Sequence, residues 1–130
     1  MNMMKKIKYN ETESFKKDFK QLKKKFRTLA EDLEIVKKYA IELLHLENID
    51  NQSVVLVSGV NSAETKFYKI RKFACKALKG RGANSGIRMI YGFCPETMNI
   101  TFIEIYFKAD QVNENKQRIR AFLKLNEVLL

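Results

Sequence analysis

The sequence predicts an α+β fold in a single domain, residues 1–130, with the order β-α-α-β-β-β-α: an N-terminal strand and a helical hairpin packed on a small antiparallel sheet. Three observations carry this expectation. Apolar residues recur at helical spacing from Phe15 to Leu44. Three β-branched or aromatic runs, "KFYKIRKFAC", "GIRMIYGF" and "NITFIEIYFK", then follow one another with turn residues between them. Finally, "VNENKQRIRAFLKLNEVLL" returns to a helical pattern with Ile119, Phe122 and Leu123 inward. At 130 residues and 45% hydrophobic, the chain fits one core and is short for two.

The first element is the short strand "KKIKY". Phe15, Phe19, Leu22 and Phe26 then put one apolar stripe on a lysine-rich helix, a stripe that reads as core. Thr28 followed by Glu31 has the capping-box spacing, so a second helix is expected to start near Thr28 and to run through Leu29, Leu33, Val36, Ala40, Leu43 and Leu44. His45, the single histidine, falls near its end, where a positive or polar ring suits the helix dipole. In the polar connector "NIDNQSVVLVSGVNSAET", the run "VVLV" fits either an added strand or a tucked segment, and periodicity does not decide between them. The three later runs read as an antiparallel meander joined by a basic glycine loop and by "CPETM".

Charge narrows the function classes. Lys and Arg number 25 against 15 Asp and Glu, a formal net charge of +10, which invites nucleic acid, an anionic membrane or an acidic protein. The excess is blocky: +7 over residues 1–30, −5 over 31–65, +7 over 66–108 and +1 over 109–130. Two basic blocks meeting in space would form a phosphate-binding groove. Lysines that merely solvate a helix face account for most of "FKKDFKQLKKKFR". No window holds the ~18 apolar residues of a membrane span, and "MNMMKKIKY" lacks the apolar segment of a signal peptide, so a cytoplasmic location is expected. Cys75 and Cys94 lack metal-site spacing and read as reduced thiols; neither a metal nor a small-molecule cofactor is expected.

Gly80, Gly82 and Gly86 lie in "LKGRGANSGIRMIYGF", without the lysine and hydroxyl of a P-loop and without a following helix. A mononucleotide cradle is thereby rejected. The expectation is a hairpin loop in which glycine and Asn84 supply positive φ angles, with Lys79 and Arg81 extending phosphate contacts.

Strand side chains alternate faces. If Tyr68, Ile70, Ile87, Met89, Tyr91, Ile103, Ile105 and Phe107 face the helices, the opposite face carries Lys69, Arg71, Arg88, Glu104, Tyr106 and Lys108. That face could be a solvated surface with cross-strand pairs such as Arg88 with Glu104. It also holds the residue types that RNA scission needs: a base for the 2′-hydroxyl, cations for the phosphate and an acid for the leaving 5′-oxygen. Arg71 and Arg88 suit phosphate as planar donors. Lys69, crowded by cations, could accept a proton, and Glu104 is the rival base or an orienter of Arg88. Lys108 could donate to the leaving oxygen or only contact phosphate; Tyr106 could stack on a base or only pack. Lys72, Lys76, Lys79 and Arg81 are further candidate RNA contacts.

The element order together with "FYKIRK", "GRGANSGIRMIYGF" and "ITFIEIYFKAD" resembles the RelE/ParE superfamily of type II toxins, and most of all its RelE-like branch, from about Phe67 to the last helix. The resemblance implies an mRNA interferase that cuts mRNA on the ribosome and is held inactive by a cognate acidic antitoxin. Lys69 and Arg71 fall on the family's basic strand, Arg88 on the arginine after its glycine, and Lys108 near its last-strand cation. The tyrosine or histidine that many nuclease members place near the C-terminus has no counterpart after Lys108, so the acid or base-stacking role is unassigned unless Tyr106 fills it. The alternatives are a ParE-like inhibitor of DNA gyrase without nuclease activity and a degenerate relative that binds nucleic acid and leaves it intact.

Overall fold

In the computed structural model, which describes residues 6–128, β1 (Lys8–Glu11) leads into α1 (Glu13–Lys25) through Thr12. Thr12 Oγ1 accepts the Phe15 N–H at 3.1 Å, satisfying one of the donors that a helix start leaves open. The predicted stripe turns to the sheet, with Phe15 and Phe26 buried and Phe19 and Leu22 half-buried against the core. Lys5 of the expected first strand lies outside the described residues, as do Leu129 and Leu130 of the expected last helix.

The second helix is α2 (Leu29–Val36), continued by a π-helical stretch (Lys37–Glu42) into the single turn α3 (Leu43–His45). The expected capping box does not form. Thr28 donates its hydroxyl to Asp32 at 2.7 Å and accepts the Ala77 N–H at 2.9 Å, while Glu31 turns outward to Lys76 at 3.5 Å. A distant segment lying across the helix start brings its own N–H groups, and these take the side chains that would otherwise cap.

The sheet has five strands in the order β1-β5-β4-β3-β2: β2 (Val54–Leu56), β3 (Lys66–Ile70), β4 (Ile87–Cys94) and β5 (Asn99–Phe107) complete it. The run "VVLV" therefore supplies an edge strand, antiparallel to β3. β1 pairs with β5 in parallel, Lys8 opposite Asn99, so the sheet is mixed where an antiparallel one was expected. These strands are joined through the rest of the domain, and no hairpin dictates their direction.

β3 stops at Ile70, short of the end of its apolar run. Phe73 and Cys75 bury their side chains from an irregular connector, residues 71–86, rather than from a strand. The connector is pinned by polar groups beneath it. Asp32, 1% exposed, accepts the Lys76 N–H at 3.3 Å, and Ser85 donates to the Phe73 carbonyl while accepting the Ile87 N–H at 3.1 Å. Asn84 sits in a 3-10 turn (Gly82–Asn84) and lacks the positive φ expected of it. Gly86 has φ +88°, and a Cβ there would stand 3.2 Å from the Phe107 ring.

A β-bulge corrects the predicted faces. Ile90 pairs with Glu104 and Tyr91 with Phe102, which leaves Ile103 as the extra residue of β5. Ile103 therefore turns from the helix side into a second core with Phe67, Ile90 and Ile119. The other predicted inward residues face the main core against α1 and α2. The last helix, α4 (Lys116–Val128), covers the second core with Ile119 buried and Phe122 and Leu123 half-buried, as predicted. Its start is later than the pattern suggests, because Asn115 Oδ1 accepts the Gln117 N–H at 3.0 Å and ends the preceding loop. A bidentate Arg118–Asp18 pair ties α4 to α1.

Candidate active site

Lys69 on β3, Arg71 just beyond it, Arg88 on β4 and Lys108 just after β5 line one cleft of about 340 Å³, with β2 and Glu114 on its walls. Strand alternation brings them together: Arg88 lies opposite Tyr106, and Lys69 lies opposite Ile90, two residues further along the same strand. Arg71 and Arg88 also border a neighbouring hollow of about 440 Å³ with Lys72 and Asn84. Among the described residues Arg88 forms no ion pair; its guanidinium reaches only the Ile87 carbonyl, at 3.3 Å.

Lys69 Nζ donates to Glu114 Oε1 at 2.8 Å, and the two side chains keep only 18% and 13% of their surface exposed. Burial works against the lysine charge, but the hydrogen bond to Glu114 and the nearness of the Tyr106 hydroxyl outweigh it and raise the Lys69 pKa. For Glu114, burial pushes the carboxyl up and the Lys69 hydrogen bond pulls it below its ordinary value. At neutral pH the pair is an ammonium and a carboxylate. The expected cation crowding around Lys69 is offset by this carboxylate, so Lys69 is held charged and not poised to accept a proton.

Glu104 is not in the cleft. It is 2% exposed and accepts the Gln111 side-chain amide at 2.7 Å and the Asn115 N–H at 2.8 Å, so it holds the loop that carries Glu114. The expected pair with Arg88 is absent among the described residues, because both Glu104 oxygens are taken by the loop after β5. Tyr106 is 5% exposed, which leaves no ring face for a base to stack on. Its hydroxyl is buried beside Lys69 and among the described residues makes no hydrogen bond.

No family model and no curated protein matches the chain. A solved structure similar to it is the archaeal RelE–RelB complex from Pyrococcus horikoshii OT3, at 13% identity over 78% of this chain and 94% of that one, with a TM-score of 0.49.

The remaining predicted contacts scatter along the exposed connector. Lys72 borders the hollow, Lys76 pairs with Glu31, Arg81 reaches the Ser85 carbonyl at 3.4 Å, and Lys79 is exposed. Two charged cleft residues lie outside the sequence expectation, Glu114 and Lys116. Both lie in a stretch that read as plain helix; the one available signal was their closeness in sequence to Lys108. Cys75 and Cys94 are free thiols, and burial pushes the Cys75 thiol up. Among the described residues, no group of three or more His, Cys, Asp or Glu could hold a metal ion, and no helix is long and apolar enough to cross a membrane.

His45 is not a dipole partner but a neutral ring in an aromatic cluster. Its centroid lies 4.1 Å from Phe93 and 4.9 Å from Tyr68, and Nε2 is 2.7 Å from the Tyr91 hydroxyl. Burial lowers its pKa from 6.5 to about 4. The unfolded chain therefore takes up a proton at a pH where the folded chain does not. The stability this ring contributes is complete above pH 6.5 and is lost as the pH falls toward about 4. A loss of about 1–2 kcal/mol is expected across that window, discounted for partial exposure. Urea midpoints of wild type and His45→Gln, measured from pH 7 to pH 4, should converge as the pH falls.

Proposed function

We propose that this chain is the toxin of a type II toxin–antitoxin pair, an endoribonuclease that cuts mRNA on the ribosome and arrests translation. The observation that carries the reading is the convergence of Lys69, Arg71, Arg88 and Lys108 on one cleft. A phosphodiester under attack gathers negative charge on its non-bridging oxygens, and fixed cations in a partly dry cleft stabilise that charge without reorganising. Arg71 and Arg88 offer planar forks to those oxygens, Lys69 adds a point charge and Lys108 is placed to protonate the leaving 5′-oxygen. All of this charge comes from protein groups, so the reaction is proposed to be metal-independent. The sequence resemblance to RelE-like toxins supports the ribosome and mRNA as partners, and an acidic antitoxin suits a chain of net charge +10.

Primer extension on a reporter mRNA in a reconstituted translation system tests this. Cuts within codons that require ribosomes and are missing on naked mRNA are the expected result. An mRNA left intact under translation would overturn the reading in favour of gyrase inhibition or simple binding.

A further inference from the structure

We propose that Glu114 is the general base of this cleft, taking the proton from the attacking 2′-hydroxyl. The inference rests on the ribonuclease reading above and adds a residue to it. The base is the part of the site that the cations cannot supply: Arg71 and Arg88 remain protonated, Lys69 is held as an ammonium, and Glu104 is committed to the loop. Among the described residues, Glu114 is the one carboxylate lining the cleft. Its Oε1 is fixed by Lys69 at 2.8 Å, and its loop is fixed from beneath by Glu104 through Gln111 and Asn115. The groups facing it are Lys69 of β3, Arg71, Arg88 of β4, Tyr106 of β5, Lys108 and Lys116 of α4, so the carboxylate sits among cations with one buried hydroxyl below.

In the step, the O2′ proton passes to the Glu114 carboxylate as O2′ forms a bond to phosphorus. The bond from phosphorus to O5′ breaks, and the leaving oxygen takes a proton from the Lys108 ammonium. The products are a 2′,3′-cyclic phosphate and a 5′-hydroxyl end, and exchange with water restores both side chains. Lys69 keeps Glu114 ionised and pointed into the cleft, and it stays charged against the phosphate when the carboxylate becomes neutral.

The test is Glu114→Gln, which keeps the shape and a hydrogen bond to Lys69 but cannot take a proton. Single-turnover cutting on programmed ribosomes should fall about 100-fold or more, with ribosome affinity unchanged. The wild-type rate should fall with a slope near one toward acid pH, and the residual rate of the variant should lack that limb. Glu114→Asp, which retains a carboxylate, should recover part of the rate and all of the limb, and it keeps the test decisive should Glu114→Gln unfold. Cutting by Glu114→Gln at or above the wild-type rate would overturn the proposal, since the carboxylate would then only occupy Lys69, and the ribonuclease reading would survive. No cutting by wild type would remove both.

Discussion

Arg88→Ala is expected to slow ribosome-dependent cutting by about 10²–10³-fold, the loss seen when one preorganised donor is withdrawn from a developing oxyanion. The variant should keep its unfolding midpoint. Arg88 is only half-buried and among the described residues forms no ion pair, so its removal leaves no buried partner unsatisfied. Its place at the start of β4, bordering both the cleft and the adjoining hollow, puts it where an RNA backbone crossing from one to the other would meet a planar fork. Arg88→Lys should recover only part of the rate, because an ammonium keeps the charge and loses the bidentate geometry. A rate equal to wild type in Arg88→Ala, by the same primer-extension assay, would remove Arg88 from the site.

Asp32→Ala is expected to destabilise the domain by about 2–3 kcal/mol although it touches no part of the cleft. The carboxylate is buried under the connector and accepts from Thr28 and from the Lys76 N–H. Alanine would leave those donors facing a void. Equilibrium urea unfolding should show the loss, and the Lys76 amide should exchange faster with solvent. Cutting should fall as well, since this connector carries Arg71 at one end and runs into β4 and Arg88 at the other. Asp32→Asn, which retains one oxygen acceptor, should cost less.

Periodicity made α1, α2 and the β3–β5 meander legible, because each buries one face over several repeats of its own period. β2 was not legible: Val54–Leu56 is too short for a period, and its pairing depends on Ser53 accepting the Arg71 N–H at 2.8 Å from the far end of β3. The end of β3 was hidden because Phe73 and Cys75 are as apolar as strand residues while packing from a loop. The bulge is hidden because the sequence alternation on β5 reads as unbroken, and Ile103 looks the same whichever core it enters. In the site, the four cations were readable from strand alternation alone. The role of Glu104 was not, since it keeps its predicted face but is covered by the loop after β5, whose Gln111 and Asn115 occupy both of its oxygens. Glu114 could not be read at all: its importance comes from the loop reaching back to Lys69, a contact that no local spacing encodes.

The parallel pairing of Lys8 with Asn99 also constrains how the protein is born. Synthesis delivers β1 before β2, β3 and β4, and β5 after them, so the first of these strands to leave the ribosome waits for its neighbour until the other three have emerged. Lys108 and Glu114 emerge later still, so the cleft forms only after β5 and the loop beyond it have left the ribosome. Under the proposed function, the cleft would thereby be inert toward the ribosome making it until β5 and the loop beyond it have emerged.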